Sequence, residues 1–205
     1  MKKGKLFVIS GPSAVGKGTL CKRLLSGSGG AGMELSVSMT TRKPRPGEKD
    51  GKSYYFVTEG EFRSQIGKGG FLEYAEVFGC MYGTPKEPVL AALDRGSNVL
   101  LEIDVQGALQ VRGNYPESQL VFILPPSLAE LRRRIRHRGS ETQEQVARRL
   151  DKAVSEIAVI SEYDYAVVNN SLTHAVAELR EVIEGRHDRL EAAEAADIAK
   201  RFAGE

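Results

Sequence analysis

A chain of 205 residues with 41% hydrophobic and 27% charged residues has ordinary globular composition, which fits one compact domain and excludes an intrinsically disordered chain. Its net charge of +2 is too small to argue for a nucleic-acid coat, and its two cysteines, Cys21 and Cys80, have neither the number nor the spacing of a disulfide framework or a zinc site. The basic start MKKGKLFVISG carries an apolar run of four residues, LFVI, against the roughly 7 that a signal peptide needs. No segment approaches the ~20 apolar residues of a membrane span, so a cytoplasmic protein with reduced thiols is expected.

In chain order, the first predicted element is a strand, KLFVIS (5–10), followed by the glycine-rich turn GPSAVGKGT (11–19) and a helix starting near Lys17. The stretch SGSGGAG (26–32) reads as a flexible connection. Further strands are predicted at LSVS (35–38), NVLLEID (98–104), QLVFIL (119–124) and YAVVN (165–169). These runs are almost continuously apolar, as in strands buried on both faces of a parallel sheet. Residues 39–84 break the alternation, and YYFV (54–57) and EYAEVF (73–78) predict short strands of a separate small sheet. Capping boxes are predicted at Thr58 with Glu61, Thr84 with Glu87, Ser127 with Glu130, and Thr142 with Gln145. Helix stops fall at Gly96 and Gly139. After Thr142, the residues Val146, Leu150, Val154 and Ile157 share an apolar helical face. The class is α/β with a wound sheet.

The chemistry begins at residues 11–19. A strand, a glycine turn and a helix N-terminus together turn backbone N–H groups and a positive dipole end towards an anion, and Lys17 adds a mobile charge for the outer phosphates. Where the usual phosphate loop has a hydroxyl directly after the lysine, this chain has Gly18, and the hydroxyl moves to Thr19. A metal ion is therefore expected to be held differently, through water and a carboxylate. Ala14 stands where glycine is common, and its methyl is tolerated if φ is negative.

Five of the seven residues from Arg132 to Arg138 are arginine. This run reads as a basic helix face or as an RNA-binding patch. Arg134 and Arg138 lie four apart on one helical face, with Arg149 beyond the Gly139 turn. Taken alone, Arg42 and Arg45 read equally as solvated arginines, Tyr54 as packing and Glu73 as the exposed side of a strand. Glu102 and Asp104 alternate near the C-terminal end of a strand, the end at which open α/β sheets bind ligands. Asn169 with Asn170 is also a good helix-starting turn.

The runs SVSMTTRKPRPGEKDGKSYYFV (36–57), GGFLEYAEVFGCMYGT (69–84), LEIDVQGA (101–108), FILPPS (122–127) and RIRHRGSET (134–142), in this order, resemble guanylate kinase, and the resemblance extends from about residue 4 to 185. It implies a P-loop three-layer wound sheet with a five-stranded, mainly parallel core (1–35, 85–131 and 153–185). It also implies an inserted GMP-binding subdomain (36–84) and an arginine-rich lid (132–152), with residues 186–205 left as a helical tail. It implies transfer of the γ-phosphoryl group of ATP to GMP, and to dGMP, with Mg²⁺ supplied as MgATP. The ATP loop would be Gly11, Pro12, Ser13, Ala14, Val15, Gly16, Lys17, Gly18 and Thr19, with Asn169 near the adenine. The GMP phosphate would be clamped by Arg42, Arg45, Tyr54 and Tyr82, and the guanine read by Ser38, Glu73, Thr84 and Asp104. Transfer would rest on Lys17, Arg134, Arg138 and Arg149. Glu102 and Thr19 would approach the metal through water, although for Glu102 a capping or salt-bridge role stays open.

The partners expected are ATP and GMP, with neither nucleic acid nor membrane, and self-association through the tail stays open. Two other readings remain: a guanylate-kinase-like scaffold that binds phosphopeptides in the old nucleotide pocket, and a phosphokinase acting on another small phosphate ester.

Overall fold

A computed structural model describes residues 3–26, 32–77, 79–137 and 142–205. The expected connection at 26–32 falls mostly outside the described residues, as do Arg138 and the helix stop at Gly139. The chain divides into two compact units, one formed by Met1–Leu6, Gly32–Leu101 and Gln106–Ser118, the other by Phe7–Ala31, Glu102–Val105 and Gln119–Glu205.

The larger sheet contains β1 (Leu6–Ser10), β2 (Met33–Leu35), β7 (Asn98–Glu102), β8 (Gln119–Leu124) and β9 (Tyr165–Val168), in the order β2-β7-β1-β8-β9. β2 pairs with β7, β1 with β8 and β8 with β9, each in parallel. Every residue of β1 is buried, as are the last five of β8, which is why these strands read as unbroken apolar runs. The predicted strand at 35–38 is misplaced. β2 ends at Leu35, and Ser38 already accepts from the Tyr55 N–H at 2.9 Å, so the segment between is handed from one sheet to the other.

The first unit holds the smaller sheet, β3 (Met39–Thr40), β4 (Tyr55–Phe56), β5 (Phe71–Val77) and β6 (Cys80–Pro85), in the order β4-β3-β6-β5. β3 runs parallel to β4 and antiparallel to β6, and β5 and β6 form an antiparallel pair whose register shifts between Phe71 and Glu73. Helix α2 (Glu59–Gly67) has the full capping box expected at Thr58 and Glu61. Helix α3 (Lys86–Asp94) does not have the one expected at Thr84: β6 runs on through Thr84 to Pro85, and Pro85 is the N-cap. Gly96 turns the chain after α3, with φ of 88°. Helix α4 (Val105–Asn114) follows β7.

In the second unit, α1 (Lys17–Leu25) follows the phosphate loop and α5 (Leu128–His137) follows β8. Ser127 caps α5 by accepting from the Glu130 N–H at 3.2 Å. The box is only half made, because the Glu130 carboxylate is drawn to Arg133 and Arg134 instead. Helix α6 (Gln143–Ile157) has its complete box at Thr142 and buries Val146, Leu150, Ala153 and Ile157. Ala153 is thus buried beside the half-exposed Val154. α7 (Leu172–Glu184) is capped by Ser171, not by Asn169. The tail forms α8 (Ala192–Gly204), which buries Ala195 and Phe202 and contacts α6 and a 3₁₀ turn at Ile160–Glu162. Among the described residues, no helix is long and apolar enough to cross a membrane.

Candidate active site

Between β1 and α1 the chain takes positive φ at Gly11 (140°), Ala14 (67°) and Gly16 (103°). At Gly11 a side chain is also excluded by space, since a Cβ would lie 2.4 Å from the Ile123 carbonyl oxygen. At Ala14 the sequence left the sign of φ open, and the chain takes the positive value. A left-handed L-residue costs about 1–2 kcal/mol. Here the methyl is buried with Leu131, Ile135, Val146, Leu150 and Ala153, and that burial offsets part of the strain.

The displaced hydroxyl now has a local reason. A Cβ at Gly18 would sit 3.1 Å from Oε1 of Glu102, so a serine or threonine there would crowd the carboxylate. Thr19, one residue on, is exposed. Lys17 Nζ donates to the carbonyls of Gly11 at 2.6 Å and Pro12 at 3.2 Å. Burial lowers its pKa, and the carboxylates of Glu102, Glu156 and Asp104 oppose that shift. Cys21, one turn further along α1, is buried and its thiol is pushed up to about 12, which leaves it unreactive at neutral pH.

Asn169 is 8% exposed and donates from Nδ2 to the Val15 carbonyl at 2.8 Å. Arg134 reaches the same carbonyl from Nη1 at 3.2 Å, the Asn169 carbonyl from Nη2 at 2.9 Å, and Glu130 from Nε at 2.8 Å. These bonds tie α5 and the end of β9 to the phosphate loop. A cavity of about 360 Å³ opens beside them, lined by Ala14, Gly16, Thr19, Arg134, His137 and Asn169 among others. Arg149 is exposed on α6.

The remaining predicted residues fall into two groups. Glu102 and Asp104 are exposed in the second unit, and Ser38, Arg42, Arg45, Tyr54, Glu73, Tyr82 and Thr84 lie in the first. There the Thr84 hydroxyl donates to Glu73 Oε1 at 2.6 Å, in a pair only 0% and 7% exposed. Arg42 lies over the Tyr54 ring at 5.5 Å, and the Tyr54 and Tyr82 rings meet edge-on at 6.0 Å. Arg42 Nη2 donates to both oxygens of Glu48, at 2.9 and 3.0 Å. The hydrogen bond to Arg42 holds the Glu48 carboxyl below its ordinary range, helped by the Arg45 N–H.

Sequence reasoning passed over Glu48 and Glu156. A carboxylate three residues after Arg45 in a Pro-Gly turn was a usable signal for Glu48. Glu156 reads as the surface partner of Lys152 at helical spacing, and the two do pair at 3.6 Å. Nothing local reveals that the Glu156 side chain is only 12% exposed and that burial raises its pKa.

Positive φ at Gly11, Ala14 and Gly16, with Lys17 opening a helix that follows a parallel strand, defines a phosphate-loop α/β protein. The guanylate kinase family model matches residues 3–186. The chain is 52% identical over 190 residues to the guanylate kinase of Clostridium acetobutylicum, covering 93% of this chain and 90% of that one. It is 51% identical over 191 residues to the guanylate kinase of Clostridium tetani, covering 93% and 90%. Among solved structures it is similar to guanylate kinase from Anaplasma phagocytophilum, with a TM-score of 0.69 and 34% identity over 94% of this chain and 90% of that one. The chain belongs to the guanylate kinase family.

Proposed function

We propose that the protein transfers the γ-phosphoryl group of ATP to GMP, giving ADP and GDP, and that it accepts dGMP by the same contacts. The observation that carries the guanine reading is the buried Thr84–Glu73 hydrogen bond of 2.6 Å. Guanine presents N1–H and an exocyclic amine, both donors, along the edge that a carboxylate reads. Adenine offers an acceptor at N1 and would set it against the Glu73 carboxylate, a mismatch that polar sites reject strongly. A hydroxyl has one proton, and that of Thr84 is committed to Glu73. Thr84 therefore orients the carboxylate, and Ser38 is the hydroxyl that remains to donate to guanine O6. Asp104 is the second carboxylate for the base.

Arg42 and Arg45 hold the acceptor phosphate, since planar guanidinium forks suit a tetrahedral oxyanion, and the Tyr54 and Tyr82 hydroxyls complete that clamp. On the donor side, residues 11–19 cradle the ATP phosphates with backbone N–H groups. Asn169 borders the cavity suited to the base, and Arg138 and Arg149 bring charge from the lid. Lys17 exchanges its carbonyl partners for phosphate oxygens. Phosphoryl transfer needs in-line alignment and positive charge more than a dedicated base, and these residues supply both.

A metal fits the donor set in one way. Among the described residues no cluster of three or more His, Cys, Asp or Glu side chains is arranged to hold a metal, which suits Mg²⁺ carried by phosphates and water with few protein ligands. Glu102, beside Gly18, and Thr19 would hold it through water, and when bound it would neutralise phosphate charge. Free thiols at Cys21 and Cys80 suit a reducing cytoplasm.

An ADP-release assay with ATP, Mg²⁺ and a panel of GMP, dGMP, AMP and UMP tests the reading. Turnover with the two guanine nucleotides is the expected result, and a preference for AMP overturns the guanine assignment.

A further inference from the structure

Two arginines meant for one phosphate repel each other before the phosphate arrives, and the segment after β3 deals with that through a carboxylate. Glu48 takes Arg42 Nη2 on both oxygens, and its Oε2 also accepts from the backbone N–H of Arg45 at 2.8 Å. The Glu48 N–H donates back to the Arg45 carbonyl at 3.0 Å, which closes the turn. Arg42 is fixed at further points: Nη1 donates to the Lys43 carbonyl at 2.7 Å, and the guanidinium lies 5.5 Å from the Tyr54 ring centre and 5.9 Å from that of Phe56. The Arg42 and Glu48 side chains are only 15% and 21% exposed.

The pattern of these bonds separates holding from blocking. Glu48 engages one terminal nitrogen, and the Lys43 carbonyl takes one hydrogen of the other. The Nε–H and a second Nη1–H are bonded to neither Glu48 nor Lys43; the guanidinium also interacts with the Tyr82 hydroxyl, a neutral partner that an incoming oxyanion can displace. A carboxylate that stood in for the phosphate would instead occupy a two-nitrogen edge of the guanidinium. The same oxygen that steadies Arg42 also fixes the backbone from which Arg45 projects.

We propose that Glu48 is a positioning residue for acceptor binding: one carboxylate sets the Arg42 guanidinium and the Arg45 backbone in the arrangement that receives the phosphate monoester. The inference rests on the reading that Arg42 and Arg45 clamp the GMP phosphate. Its signature is selective, because a residue that acts through the phosphate clamp affects GMP and leaves guanosine, which has no phosphate, alone.

Calorimetric titration of GMP and of guanosine into the wild type, Arg42→Ala, Glu48→Gln and Glu48→Asp, with KM for GMP and for ATP, separates the possibilities. Arg42→Ala should lose tenfold or more in GMP affinity at constant guanosine affinity; if it loses none, the clamp reading itself is wrong. With that loss in hand, Glu48→Gln should weaken GMP tenfold or more, raise KM for GMP but not for ATP, and leave guanosine binding unchanged. Glu48→Asp should recover part of the loss, and it carries the test if the glutamine variant does not fold. Unchanged or tighter GMP binding in these Glu48 variants, or equal weakening of GMP and guanosine, overturns the proposal.

Discussion

Replacing Thr84 with valine removes a hydroxyl at nearly constant shape from a strand position that favours β-branched residues. The lost bond runs from a fully buried hydroxyl to Glu73, 7% exposed, at 2.6 Å, the short end of charge-assisted O–H···O⁻ distances. Hydrogen bonds to charged groups contribute about 1.5–3 kcal/mol, and a value of about 2 kcal/mol is reasonable where water cannot easily replace the donor. For a chain of this size that corresponds to a melting midpoint lowered by about 4–8 °C. Differential scanning calorimetry without ligand measures this directly. If Thr84 also orients Glu73 for guanine, GMP affinity falls in parallel, by up to about 30-fold for 2 kcal/mol, and guanosine affinity falls with it because the phosphate is not involved. A midpoint shift below about 1 °C together with unaltered guanosine binding would refute the reasoning, since the pair would then contribute neither to stability nor to base recognition.

Gly16→Ala places a side chain at φ of 103° with its Cβ 2.6 Å from the Asn169 amide nitrogen. It should destabilise the fold by about 1–3 kcal/mol and raise KM for ATP more than KM for GMP, as read from urea denaturation and steady-state kinetics. Phe202→Ala empties the main apolar anchor of α8, 1% exposed, and should cost about 3–5 kcal/mol by the same denaturation measurement; a loss under 1 kcal/mol would mean that α8 is not docked. Glu130 is held down to about 2 from an ordinary value of 4.5, first by hydrogen bonds to Arg133 and then to Arg134. A depressed carboxyl stabilises fully above its unfolded pKa and loses that contribution as pH falls through the folded value. The stability gap between wild type and Glu130→Gln should therefore be constant above pH 5 and shrink from about pH 4.5 towards 2. A gap independent of pH across that window would exclude the ion pairs as its source.

What the sequence made legible was local. The phosphate loop shows because its glycines, lysine and helix start fall within nine residues, and β1 and β8 show because burial on both faces leaves polar residues only at an end, Ser10 and Gln119. Family resemblance named Glu73 and Thr84, but not the bond between them. That bond joins residues eleven apart across the β5–β6 pair, in a register displaced by the irregularity between Phe71 and Glu73. The capping box predicted from Thr84 and Glu87 fails because β6 runs on through Thr84 to Pro85, which becomes the N-cap of α3. At Ala14 the sequence left φ open; the chain takes the left-handed value, and the methyl joins a cluster drawn from α5 and α6. Such contacts are not written in any local pattern.

The cations proposed to meet phosphate are not held alike, and the difference implies a division of labour. Lys17 bonds to two carbonyls of its own loop, which are neutral acceptors that an anionic phosphate oxygen outbids because it adds charge–charge attraction. Lys17 can leave them without stranding a charge. Arg42 and Arg134 are instead bonded to carboxylates, Glu48 and Glu130, and each also donates to a backbone carbonyl. Moving either would separate it from a carboxylate only about a quarter exposed or less, whereas Lys17 gives up neutral carbonyls for an anionic oxygen. In the proposed transfer Lys17 is therefore the group able to follow the phosphate, while Arg42 and Arg134 each stay with a carboxylate of their own unit.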